Sequence, residues 1–190
     1  MVGKIILASS SPRRADILRK AKIEVEIMPS PYIEDHTTTA FSYELIENLA
    51  FNKAKALLPF LNTPSIIIGA DTVVVLDNEI LGKPHNADNA FAMLKKLSGK
   101  THFVVTSIAV LNSNTGKYRV KSTTSYVTFE NLTDEQIDFY INNYKPFDKA
   151  GSYGIQEMPE GYIKSFEGDL ENIIGISSKV LKELLTATKL

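Results

Sequence analysis

Apolar, β-rich runs alternate along the chain with amphipathic stretches, a rhythm that predicts an α/β architecture. Lys4 to Ala8 reads as a strand, Pro12 to Ala21 as a helix, and Ile23 to Met28 as a second strand. Tyr43 to Leu58 has helical periodicity. Ser65 to Leu76 is apolar nearly throughout, as buried strands are, and reads as two short strands or one strand bent at Gly69. A helix over Asp88 to Leu97 follows the turn at Pro84-His85-Asn86. His102 to Leu111 and Lys117 to Phe129 are β-rich and joined by Asn112-Ser113-Asn114-Thr115-Gly116, a hairpin signal. Thr133 to Asn143 is a helix opened by a capping box of Thr133 and Gln136. Pro146 to Gly161 reads as loop, and Ser177 to Leu185 as a terminal helix. No repeat or linker divides the chain, so residues 1–190 are expected to form one domain. The hairpin and the helix after it are expected to make a second lobe, with a ligand cleft between the two.

Composition narrows the class. The chain has 190 residues, a net charge of −1 and no cysteine. Near-neutral charge argues against a broad grip on nucleic acid. The lack of cysteine excludes disulfides and thiolate metal sites and fits a reducing compartment. The apolar run Ile5 to Ala8 is too short for a signal sequence or a membrane span, and Ile66 to Leu76 is interrupted by Asp71. The expectation is a soluble, cytoplasmic protein with no membrane partner.

Three local conflicts point to chemistry. The first is Ser9-Ser10-Ser11-Pro12-Arg13-Arg14. Ser11 suits a helix N-cap and Pro12 the first helical position, which puts Arg13 and Arg14 at the positive end of the helix dipole. A bound phosphate would resolve that conflict; solvation of both arginines, or compensation by Asp16, would do so equally well. The GxxxxGK[ST] pattern of a P-loop is absent. The second conflict is Asp71, a carboxylate inside a buried run that must find a partner, a metal or a proton. An Asp-Thr turn is the plainer alternative, and Gly69 nearby is expected to let a ligand approach the backbone. The third is Lys53, which projects near the centre of the stripe of Ile46, Leu49, Ala50, Ala54 and Leu57, whereas Lys55 points the opposite way. It either snorkels to solvent or meets a negative group.

Lys83, in the stiff Leu81-Gly82-Lys83-Pro84 turn, and the acidic pair Glu34-Asp35 are weaker signals. Together, Arg13, Arg14, Lys53 and Lys83 supply cations while Asp35 and Asp71 supply carboxylates, a mixture suited to a polyphosphate with a divalent ion such as Mg²⁺ or Mn²⁺. His36, His85 and His102 form no persuasive triad or zinc set.

Several of these segments, in order, resemble the Maf family of nucleoside triphosphate pyrophosphatases. They are Leu7-Ala8-Ser9-Ser10-Ser11-Pro12-Arg13-Arg14, Leu49-Ala50 with Lys53-Ala54, Gly69-Ala70-Asp71-Thr72, and Leu81-Gly82-Lys83-Pro84. Met93-Leu94 through Leu97-Ser98-Gly99 with His102, and Asp148-Lys149-Ala150-Gly151-Ser152-Tyr153-Gly154-Ile155-Gln156, complete the set. The resemblance implies an elongated two-lobed body with a mixed twisted sheet and a central cleft, similar to inosine triphosphate pyrophosphatases. It implies hydrolysis between the α and β phosphates with a divalent metal, Asp71 accepting the proton and Asp35 and Asp71 near the metal. Ser9, Arg13, Arg14, Lys53 and Lys83 would bind phosphate. Pro-Arg-Arg, Ala-Asp-Thr and Tyr-Gly-Ile-Gln are similar to the dTTP/UTP branch, which makes Arg13, Thr72 and Gln156 the expected determinants of base preference. The chain departs from the family at Glu157-Met158-Pro159 and at Gly175-Ile176-Ser177. A homodimer is compatible with this reading. The rival classes are a nucleotide- or nucleic-acid-binding regulator of cell division and a house-cleaning enzyme for damaged purine triphosphates.

Overall fold

The computed structural model describes residues 4–33 and 39–188. Its strands are β1 (Lys4–Leu7), β2 (Glu26–Ile27), β3 (Ser65–Leu76), β4 (Glu79–Leu81), β5 (Thr101–Asn112), β6 (Tyr118–Phe129) and β7 (Ile163–Glu167). The helices are α1 (Pro12–Lys20), α2 (Tyr43–Lys55), α3 (Ala87–Leu97), α4 (Asp134–Tyr144), α5 (Leu170–Ile174) and α6 (Ser178–Thr188). The strands form one mixed sheet in the order β2-β1-β3-β5-β6-β7, with β4 paired to β3. β1 runs parallel to β2 and to β3, and the remaining pairs are antiparallel.

β3 is one unbroken strand of 12 residues, because β5 pairs it continuously from Ile66 to Val75. Asp71 is therefore a mid-strand residue and not part of a turn. Period-2 alternation sends Ile68, Ala70, Thr72, Val74 and Leu76 to one face and Ile67, Gly69, Asp71, Val73 and Val75 to the other. The first face carries two apolar cores at its two ends. At one end Ile68, Ala70, Ile108 and Val110 pack against Ile17 and Leu18 of α1 and Val180, Leu181 and Leu184 of α6. At the other end Val74, Leu76, Val104, Val127 and Phe129 pack against Leu94 and Leu97 of α3 and Ile137, Tyr140 and Ile141 of α4. A fully buried aliphatic side chain such as Leu18 contributes about 1.5–3 kcal/mol. The opposite face is covered by α2 through Ile46 and Ala54.

Between the two cores lies a polar band. Thr72, Thr106 and Thr123 stand side by side across β3, β5 and β6. Thr106 Oγ1 donates to the Asn172 carbonyl at 2.8 Å, and the buried Asn172 amide donates to Val104 O and Ser125 Oγ. The two lobes are thus two cores on one sheet, and the β5–β6 hairpin runs through both instead of belonging to one.

Helix ends follow the sequence signals. Ser11 caps α1 with Pro12 at its start, and Thr133 with Gln136 closes a reciprocal capping box on α4. The strand expected over 23–28 shrinks to Glu26–Ile27, because β1 offers only Ile6 and Leu7 as partners. β4, β7 and α5 were not anticipated: each is short, and each is fixed by tertiary pairing more than by its own pattern.

Candidate active site

The sheet itself creates the site. β1 pairs with β3 only as far as Leu7 opposite Ile68, with one further bond from Ala8 N–H to Ile68 O at 2.8 Å. β4 takes up pairing on the same side at Val74 opposite Leu81. Residues 69–73 of β3 therefore have β5 on one side and no described strand on the other. The loop after β1, carrying Ser9 to Arg14, and the loop after β4, carrying Gly82 and Lys83, both run toward this gap. Asp71 and Thr72 are adjacent residues within this gap, and their side chains leave β3 on opposite faces of the sheet.

On the Thr72 face, Arg14 is the organising group. Its Nε donates to Gly175 O at 2.9 Å, Nη1 to Ser9 Oγ at 3.2 Å and Nη2 to Thr72 Oγ1 at 3.0 Å. Thr72 Oγ1 also meets Thr106 Oγ1 at 2.9 Å, which ties Arg14 into the polar band. The buried Ser9 hydroxyl additionally accepts from Ser11 N–H at 3.2 Å. The positive φ of Gly175 places its carbonyl toward Arg14, and that carbonyl closes the end of α5, where a cation is favoured. The conflict between two arginines and the α1 dipole is thus relieved within the protein, since both guanidinium groups reach beyond the helix to oxygen acceptors.

Arg13 reaches the other way, donating from Nη1 to Asp148 Oδ2 at 2.6 Å. Asp148 also accepts from Lys149 Nζ at 2.9 Å. Partial burial pushes the Asp148 carboxyl up, but the hydrogen bonds and charges of Lys149 and Arg13 outweigh it and lower its pKa to about 2.

On the opposite face Lys53 extends from α2 to Asp71, and its ammonium donates to Oδ1. Both side chains are largely buried. The lysine on the apolar stripe thus meets a carboxylate of the protein, which supplies the opposite charge a buried aspartate needs. Lys55 is exposed, as its projection predicts. Gly69 has a different reason from ligand approach: a Cβ there would lie 2.0 Å from Ala50 O and 2.9 Å from Ala54 N. Its missing side chain lets α2 rest directly on β3, which is what brings Lys53 within reach of Asp71.

Lys83 is exposed just beyond β4, in the loop whose Gly82 carbonyl accepts from Gly151 N–H at 3.0 Å. Gln156 is exposed in a turn closed by Glu157 N–H to Gly154 O at 2.9 Å. Asp35 lies outside the described residues. Sequence reasoning passed over Asp148, Lys149 and Glu157 as chemistry. Lys149 is buried although its Gly-rich surroundings read as exposed loop, and a charged run of Asp-Lys ahead of Ala-Gly gives no signal of that burial.

His102 anchors the same loop from below. Its Nε2 lies 2.6 Å from Tyr153 Oη, and its buried Nδ1 has no hydrogen-bond partner among the described residues. Burial lowers the imidazole pKa to about 4 and pushes the Tyr153 phenol well up, so both are neutral at pH 7.

Among the described residues, no group of three or more His, Asp or Glu side chains is arranged to hold a metal. Asp71 alone fits the way Mg²⁺ is usually bound, through one or two carboxylates with the remaining oxygens from substrate phosphates and water.

Comparison with known proteins identifies the family. Residues 4–188 match the family described as Maf-like protein. The chain is 41% identical over 186 residues to the dTTP/UTP pyrophosphatase of Thermosipho africanus, covering 96% of this chain and 92% of that protein. It is 45% identical over 176 residues to the dTTP/UTP pyrophosphatase of Phocaeicola vulgatus, covering 91% and 90%. Among solved structures, the Ham1 protein of Staphylococcus aureus superposes with a TM-score of 0.52 at 15% identity, covering 98% of this chain and 100% of that one. A HAM1 protein from Coxiella burnetii gives 0.51 at 17%, covering 99% and 100%. These two share the fold. No helix among the described residues is long and apolar enough to cross a membrane. With the family match spanning every described residue and relatives alike over nine-tenths of the chain, this protein belongs to the Maf family.

Proposed function

We propose that the chain is a nucleoside triphosphate pyrophosphatase acting on dTTP and UTP, releasing the monophosphate and pyrophosphate. The observation that carries this reading is the gap in β3 pairing. At that gap lie a buried Lys53–Asp71 pair on one face of the sheet and an arginine-ordered serine loop on the other. The names of the relatives supply the substrate class.

In the proposed reaction a water oxygen bonds to the α-phosphorus and the bond to the α–β bridging oxygen breaks. The electron pair leaves with pyrophosphate, and the proton of the water passes to Asp71. Lys53 holds the Asp71 carboxylate in place. Ser9, Arg13 and Lys83 bind phosphate oxygens from the two loops that flank the gap. Arg14 contributes to the same set by fixing Ser9 and Thr72 through its rigid fork, a geometry lysine does not reproduce. A divalent cation, when bound with the substrate, supplies charge neutralisation on the phosphates, held by Asp71 with Asp35 as a second proposed ligand. Arg13, Thr72 and Gln156 are the proposed readers of the base.

The test is Asp71→Asn, an isosteric change that removes the proton acceptor. Nucleotide binding measured by calorimetry should persist within a few-fold while pyrophosphate release drops by about 10²-fold or more, the usual size of a general-base contribution. Turnover equal to that of the unaltered protein would remove Asp71 from the mechanism.

A further inference from the structure

An unbroken line of charged groups leads from α1 into the Gly-rich loop on the far side of the gap. Arg13 Nη1 donates to Asp148 Oδ2 at 2.6 Å, Lys149 Nζ donates to Asp148 Oδ1 at 2.9 Å, and the same ammonium lies 3.0 Å from Glu157 Oε2. Two cations and two carboxylates balance within the chain of contacts. Its members differ sharply in setting: the Lys149 side chain is 8% exposed, that of Asp148 58%.

A buried ammonium is costly unless it is paired on all sides, so its place in the fold needs a return. Its stem lies directly beneath the backbone of Gly154, where a Cβ would sit 3.0 Å from Lys149 Cε and 3.1 Å from Cδ. From the other side Gly154 N–H donates to Tyr140 Oη at 3.1 Å. Gly154 is thus clamped between Lys149 and a tyrosine of α4. The turn it opens carries Ile155 and Gln156 and ends at Glu157, the second carboxylate on Lys149. Arg13 is thus linked through Asp148 to the lysine on which that turn rests.

We propose that Asp148 and Lys149 are positioning residues that couple Arg13 of the Ser9–Arg14 loop to the Gly154–Glu157 turn, setting phosphate binding and base recognition in register. The inference rests on the proposed pyrophosphatase activity and adds to it a device for selectivity. A lysine that only stabilised the loop would, when removed, lower turnover of every nucleotide by one factor. A coupling lysine lowers turnover of the preferred base most.

The experiment compares kcat/KM for dTTP, dCTP and dGTP by pyrophosphate release in the unaltered protein and in Lys149→Met, Lys149→Arg and Asp148→Asn. Inhibition by inorganic tripolyphosphate serves as a base-free probe of the phosphate site. A misplacement near 1 Å costs about 10²-fold in rate, so Lys149→Met should erode the preference for dTTP by about 10-fold or more, with tripolyphosphate inhibition changed less than about 3-fold. Lys149→Arg should recover most of the preference. Asp148→Asn, at a half-exposed position, removes the carboxylate counter-charge from Arg13. It should lower the preference while tripolyphosphate binds as well or more tightly, two opposite movements that general damage does not produce. If Lys149→Met fails to fold, the Asp148→Asn result decides alone. Unchanged selectivity in the variants, or equal losses for all nucleotides and tripolyphosphate, overturns the coupling and leaves the activity standing. An unaltered protein that releases no pyrophosphate from any nucleotide overturns both.

Discussion

Replacing Gly69 by alanine separates two accounts of the same glycine. Its absent side chain serves either a ligand that approaches β3 or the helix that lies on it. The geometry favours the helix, because the added Cβ would stand 2.0 Å from Ala50 O and 2.9 Å from Ala54 N, both backbone atoms of α2. A carbon and a carbonyl oxygen rest in contact at about 3.3–3.6 Å, so α2 must retreat by more than about 1 Å. That helix buries Ile46, Ala50 and Ala54 and delivers Lys53 to Asp71, and a rigid retreat loosens all of them. Overpacking a core usually costs about 1–3 kcal/mol, and with backbone on both sides the cost should reach at least the upper figure. For a chain of this size about 3 kcal/mol lowers Tm by roughly 6–12 °C. Calorimetric or circular-dichroism melting would read the shift, and pyrophosphate release would read the displacement of Lys53. A Tm within about 2 °C of the unaltered protein, with nucleotide affinity alone reduced, would refute helix packing as the reason for this glycine and restore ligand approach.

Three further outcomes follow from the same contacts. Lys53→Met leaves the buried Asp71 without its ammonium and should destabilise by about 3–5 kcal/mol; adding Asp71→Asn should recover a large part, and strictly additive losses in denaturant titrations would contradict the pairing. Arg14→Lys loses the fork joining Ser9, Thr72 and Gly175, and kcat/KM should fall about 10²-fold; a change under about 3-fold would remove Arg14 from the site. His102 has an ordinary pKa of 6.5 that folding lowers to about 4, so between those values the unfolded chain binds more protons and stability rises with pH, by about 3 kcal/mol across the window. That contribution is complete above pH 6.5 and lost as pH falls through 4; His102→Gln should flatten the slope, and an unchanged slope would show that another group titrates there.

Long, strongly patterned elements were legible in the sequence. The helices beginning at Pro12, Tyr43 and Asp134 carry their own caps and stripes, β3 and β5 carry apolar runs, and β6 is rich in β-branched and aromatic residues. Lys53 was found because it violates a stripe, and Asp71 because it violates a buried run. Each conflict called for a partner without naming it, and the structure supplies each with the other. Arg14 was legible as an anomaly at a helix start, but its partners Thr72 and Gly175 lie 58 and 161 residues away, and no local pattern announces them. Lys149 was hidden for the opposite reason: flanked by aspartate, alanine and glycine it matches an exposed loop, and only tertiary packing buries it. The gap in β3 pairing was equally invisible, since it depends on where β1 stops and β4 starts against a strand that is itself uniform.

The proposed cleavage between the α and β phosphates is read from the products formed from dTTP with Mg²⁺ present, resolved by ³¹P NMR or ion-exchange chromatography. The expected products are dTMP and pyrophosphate in equal amounts, with the signal abolished in Asp71→Asn. Orthophosphate with dTDP, or no turnover of dTTP and UTP, would contradict it.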